Sequence, residues 1–178
     1  MIEEWVKAAL GLGFEAAAPL DVSTLKMLPE VRNMCAADRC HMYDKNWACP
    51  PGCGSLEACE EEVKTYPAGI IVQSRGELED SFDFEGMKEI EEKHKERFLK
   101  LRDELLKSVK RVLPLGSGSC TLCSVCTYPD KPCRMPDRRI SSMEAYGLLV
   151  SQVCSDNNLP YYYGAGTLTY TSCFLMDI

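Results

Sequence analysis

Histidine is scarce in this chain: His41 and His94 are the only two among 178 residues. A Ser-His-Asp set, an H-E-x-x-H helix, a Walker loop and a G-x-G-x-x-G turn are all missing. The runs GSGS at 116–119 and GAG at 164–166 are too short for nucleotide binding and lack its strand–helix context. Long apolar runs are missing too, and none approaches the ~18 residues of a membrane span. The opening MIEEWVKAALGLGF is acidic near its start and broken by glycine, so it lacks the basic region and apolar run of a signal peptide. A reducing cytoplasm is therefore the expected compartment. Excess positive charge is also lacking. The formal net charge of −7 argues against non-specific nucleic-acid binding, although Arg134, Arg138 and Arg139 form a local basic patch.

Cysteine, by contrast, is abundant. Eleven occur, in a composition that is otherwise globular at 46% hydrophobic and 26% charged residues. In a reducing compartment clustered thiols point to metal or redox chemistry rather than disulfides, and an odd count fits a fully paired monomer poorly. Cys120, Cys123, Cys126 and Cys133 lie in CTLCSVCTYPDKPC. Two successive two-residue gaps let three thiolates point inward from one tight loop, the arrangement a cubane iron–sulfur cluster needs for three of its irons. Zinc sites more often use two separated pairs, so the triplet favours iron. The next gap is six residues and Cys133 precedes Arg134 rather than proline. Cys133 therefore closes the same cluster, serves another, or serves none.

A second group, Cys35, Cys40, Cys49 and Cys53, falls in CAADRCHMYDKNWACPPGC. Pro50 and Pro51 stiffen the exit from Cys49, while Gly52 and Gly54 permit tight or left-handed turns. Tyr43 and Trp47 either shield a metal from water or are ordinary core aromatics. Cys59, Cys154 and Cys173 remain, and read as small buried hydrophobes unless one replaces Cys53 or Cys133 as a ligand. His41, beside Cys40, needs no function, the alternative being an unusual ligand or proton donor. His94 reads as a core histidine.

The length suits one domain over 1–178, of α/β or α+β class: a small sheet with packed helices and two cysteine-rich loops at 35–59 and 120–139. Apolar periodicity predicts a helix over 2–12 and a long helix over about 84–112, with Pro114 and Gly116 ending it. The long helix carries Glu89/Lys93, Glu91/Lys95, Glu96/Lys100 and Asp103/Lys107 at i,i+4 on its polar face. Residues 14–20 read as an edge strand because of Pro19, 68–73 as a buried strand, and a helix begins near Ser55. Ser141 and Glu144 form a capping-box signature for a helix over about 142–154. The tail YYYGAGTLTYTSCFLMDI predicts two strands, as a hairpin.

The combination C-x4-C-x2-Y-x3-W-x-CPP-x-C-G, then C-x2-C-x2-C, then CR-x-P and S-S-M-E-A-x-G resembles a cysteine-rich microbial family of predicted metal-binding proteins that carries a domain of unknown function. The likeness runs from Cys35 to Gly147 and beyond. It implies metal binding, of iron–sulfur type, in anaerobe-like physiology, with Cys35, Cys40, Cys49, Cys120, Cys123, Cys126 and Cys133 as ligands and Cys53 as the eighth candidate. It supplies no substrate.

The leading expectation is a cytoplasmic protein with two [4Fe–4S] clusters that relays electrons to a redox partner, without nucleic acid or membrane. A second is an iron–sulfur enzyme in which only Cys120, Cys123 and Cys126 hold a cluster. An anionic or sulfur-bearing substrate would then meet Arg138, Arg139 and a helix N-terminus after Ser141. Under either, Arg134, Arg138 and Arg139 compensate the thiolate charge or contact an anion. A third is a zinc-stapled interaction module.

Overall fold

Alternating burial along two strands sets the architecture of the computed structural model, which describes residues 1–178. Strands β2 (Ala68–Glu77) and β5 (Thr167–Asp177) pair antiparallel at the centre of a five-stranded sheet. In β2, Ile70 and Val72 join one apolar cluster while Ile71 joins another; in β5, Phe174 and Met176 oppose Cys173 and Leu175 in the same way. Successive side chains leave a strand on opposite faces, and here both faces are dry. β1 (Ala16–Leu20) flanks β2, and β3 (Arg111–Gly116) flanks β5. The short β4 (Ser141–Ser142) adds to the end of β3 in parallel, giving the order β1-β2-β5-β3-β4.

Helices cover each face. Helix α1 (Ile2–Gly11) contributes Val6 and Ala9 to one layer, and α4 (Phe84–Ser108) contributes Phe98, Leu101 and Leu105 to the same layer. On the other face lie α3 (Leu56–Lys64) and α5 (Val150–Asp156), with Cys59, Val63, Val153 and Cys154. The fifth helix, α2 (Pro29–Ala36), contacts a 3-10 turn at Glu144–Tyr146. The fold is α+β, with a mixed sheet. No helix is long and apolar enough to cross a membrane.

Several local readings hold. Ser55 caps α3 by accepting a hydrogen bond from the Ala58 N–H at 3.1 Å. β1 is an edge strand that tolerates Pro19. His94 is buried, its two ring nitrogens 2.8 Å from Ser74 Oγ and 2.7 Å from Ser172 Oγ. Cys59, Cys154 and Cys173 are all buried in one apolar cluster. Lys93 and Lys100 pair with Glu89 and Glu96. Such exposed pairs contribute about 0.3–0.5 kcal/mol each.

Four expectations are corrected. The long helix ends at Ser108, and 111–116 is a strand that includes Pro114. β4 covers only Leu115 and Gly116, so that edge of β3 has no ladder bond to lose at Pro114. Ser141 does not cap a helix: the helix expected over 142–154 is replaced by β4 and a 3-10 turn, and α5 begins only at Val150. Ser141 and Ser142 form β4, Ser142 Oγ accepts from the Ala145 N–H at 3.0 Å, and Gly147 at φ 77° ends the turn. A Cβ on Gly147 would stand 3.1 Å from Leu28 N, so this reversal also requires close backbone approach. The C-terminal region is one long strand, with the Gly-Ala-Gly turn preceding it rather than joining two partners. Asp103 accepts from Arg102 and Arg138 instead of pairing with Lys107.

Candidate metal centre

The two cysteine loops meet each other directly. The first, following α2, is curled by three non-glycine residues with left-handed backbone: Asp38, His41 and Asp44, at φ 53°, 58° and 55°. Asp38 stabilises this curl by accepting from the Tyr43 N–H at 3.0 Å. Buried Asn46 accepts from the Ala48 N–H at 2.9 Å, holding the approach to Cys49. The CPPGC turn is closed by the Cys53 N–H donating to Cys49 O at 3.0 Å.

Trp47 fastens this loop to the second. Its ring meets Tyr128 edge-on at 4.9 Å, and its Nε1–H donates to Lys131 O at 3.0 Å. Tyr128 donates to the Asp44 carboxylate. Of the two roles open to Trp47, docking the loops is therefore one it performs.

Beneath Trp47 lies one cleft. Cys120, Cys123, Cys126 and Cys133 all line it, opposite Asn46, Trp47 and Ala48. The four cysteines of the second run thus share a cavity despite the long gap before Cys133. Arg134 and Arg139 line the same cleft, and Arg134 donates to Val125 O at 2.7 Å, bracing the loop. Arg138 is engaged elsewhere, donating to Asp103 at 2.9 Å. No group of three or more cysteine, histidine or acidic side chains is closed around a metal position; the thiols line walls.

Cys49 stands between the two groups. Burial pushes its thiol pKa up; the Asn46 hydrogen bond opposes that shift, while Cys40, Cys120 and Cys126 add to it. Cys35 is likewise raised, first by burial, then by the charges of Glu144, Cys40 and Cys49. Cys40 is exposed. Thiols held protonated in this way suit a cation, which takes the place of several protons when it binds. The fit extends to the kind of donor: the groups clustered here are predominantly soft sulfur ligands, with Glu144 the acidic group felt at Cys35.

Cys53 is placed differently. Its sulfur lies 3.7 Å from Arg32 Nη2, which also donates to Cys59 Sγ at 3.3 Å. Arg32 is braced by Ala145 O at 2.9 Å and Gly54 O at 2.8 Å. Cys59 is pulled down to about 7, first by the Cys53 hydrogen bond and then, against its burial, by Arg32.

Sequence reading misses Arg32 and Asn46 and gives Glu144 only a capping role. Only α2 had a usable signal: Pro29 at its first position, where proline's missing N–H costs nothing.

A family model described as predicted metal-binding protein (DUF2284) matches residues 18–176. The chain belongs to this family. The DUF2284 match takes in both cysteine loops, so its description and the shared cleft agree on a metal-binding protein. No curated protein and no solved structure matches the chain.

Gly52 shows how tightly the first DUF2284 loop is wound. A Cβ there would stand 2.5 Å from Asn46 O and 2.9 Å from a Tyr128 ring carbon. A backbone oxygen cannot swing away, so Gly52→Ala is expected to cost about 1–3 kcal/mol and to lower metal content. Urea midpoints and metal analysis on the same preparation check both.

Proposed function

We propose that this protein carries two [4Fe–4S] clusters and passes single electrons between partner proteins. One set of ligands is Cys120, Cys123, Cys126 and Cys133; the other is drawn from the Cys35, Cys40, Cys49 group. The observation that carries this reading is the cleft shared by all four second-run cysteines, roofed by the segment that leads into Cys49. Bound there, such a cluster supplies a one-electron couple whose potential depends on charge, hydrogen bonding and water access.

The chain's own residues bear on each of these. Trp47, Ala48, Leu122 and Met135 give the cleft an apolar wall that limits water. Arg134 and Arg139 place positive charge against the thiolates, which favours the more reduced, more negative state. Of the three arginines in the basic patch, these two have charge compensation as their simplest role.

Iron, zinc and acid-labile sulfide content on protein purified without oxygen tests the proposal. The expected result is about eight irons and eight sulfides per chain, with visible absorbance that bleaches on dithionite. About two zincs without sulfide would replace the redox reading with a zinc-stapled interaction module.

A further inference from the structure

One cysteine of the first run is already engaged by the protein. Arg32 Nη2 lies against both Cys53 Sγ and Cys59 Sγ, and Cys53 Sγ lies 3.8 Å from Ala145 O as a donor. Cys59 Sγ in turn lies 3.8 Å from Cys53 O. The same guanidinium holds Ala145 O and Gly54 O, so it ties α2 to the CPPGC turn, α3 and the 144–146 turn. The backbone at Cys53 is fixed by its hydrogen bond to Cys49 O and by the close packing of Gly52. Turning the thiol towards a metal would abandon its contacts with Arg32 and Ala145. The Cys35 and Cys40 sulfurs have no comparable side-chain partner, and Cys49 has Asn46 alone, with no guanidinium against it.

We propose that the first metal centre is held by three thiolates, Cys35, Cys40 and Cys49, while Cys53 stands outside it, paired with Cys59 under Arg32. This rests on the iron–sulfur reading above and deepens it. Three thiolates leave one coordination position for a ligand from outside the chain. An iron at that position is a Lewis acid in a sulfur-rich setting, so the ligand class is a small anion or thiolate. The open position thereby moves from the second run, whose four cysteines share one cleft, to the first. The helix N-terminus expected to meet a substrate after Ser141 does not form, and Arg138 is paired with Asp103. Glu144, whose charge is felt at Cys35, is the internal competitor for the position.

The test compares wild type, Cys53→Ala and Cys49→Ala purified without oxygen, with cyanide as the probe ligand. Cys53→Ala is expected to keep about eight irons per chain and Cys49→Ala to fall to about four. Cyanide is expected to shift the electron paramagnetic resonance signal of one of the two reduced clusters in wild type. Iron falling by half in Cys53→Ala would make Cys53 a ligand and overturn the proposal. So would wild-type signals indifferent to cyanide, which would mean that Glu144 or another internal group fills the position; this measurement needs no variant to fold. Zinc without sulfide in wild type would defeat the iron–sulfur reading itself, and this inference with it.

Discussion

Replacing Cys126 by alanine is expected to remove about half of the iron and sulfide and to lower the urea midpoint in the same step. Cys126 lines the second-run cleft with Cys120, Cys123 and Cys133 and is also close enough to Cys49 to oppose its ionisation. Loss of one thiolate from a set of four weakens the remaining three, because a site's binding energy is also folding energy for the loops that form it. Little else holds the 120–139 loop. Its regular structure is turns, and its anchors are Trp47 on Tyr128 and Lys131, Tyr128 on Asp44, and Arg138 on Asp103 of α4. Several kcal/mol of stability is the expected scale, set by metal binding rather than by the single contact removed. Cys154→Ala is the control. That sulfur is buried between the sheet and α5, in the cluster with Cys173 and Val153. Its removal should leave iron and sulfide unchanged while costing about 1–2 kcal/mol in lost packing. Iron analysis beside urea denaturation separates the two; equal iron loss in both variants would mean that Cys126 matters only through the fold.

Much of this arrangement was legible in the sequence where local rules and tertiary structure agreed. The stripe of Ile90, His94, Phe98, Leu101 and Leu105 predicts the buried face of α4 because a helix with that spacing has one dry side. Ser55 predicts the start of α3 because its side chain is the only cap needed there. The misses occur where partners distant in sequence decide. Ser141 has the spacing of a capping box, yet β3 recruits it as a strand, and the close approach of Gly147 to Leu28 ends the following turn. Pro114 looks like a helix stop but sits on a sheet edge that offers it nothing to lose. At the site, the two cysteine groups are obvious from spacing, whereas their meeting is not: it depends on Trp47 reaching a carbonyl 84 residues away. The engagement of Cys53 is equally hidden, since no pattern in sequence links Arg32 to Cys59.

His94 supplies the second large effect, on stability rather than metal. Its ring is packed between Phe14, Phe98 and Tyr170, with both nitrogens on serine hydroxyls. Burial, with a smaller contribution from the Arg97 charge, lowers its pKa to about 4. The Arg97 charge is partly met by Glu15 at 2.9 Å. An unfolded chain would protonate this histidine near 6.5, so between roughly pH 6.5 and 4 the unfolded state binds the extra proton. Stability therefore falls as pH falls through that window, and the contribution is fully present above it. The span corresponds to about 3 kcal/mol in total, or roughly 1.4 kcal/mol per pH unit inside it. Acid release of metal and titration of carboxylates act in the same direction, so the difference between wild type and His94→Gln is the quantity to measure. Glutamine has no proton to gain there. Urea unfolding at pH 7.5, 5.5 and 4.5 should show wild type losing stability more steeply than the variant, by about one proton's worth of slope. Parallel curves would mean that His94 takes up its proton in the fold as readily as in the unfolded chain, the imidazolium donating to Ser74 and Ser172.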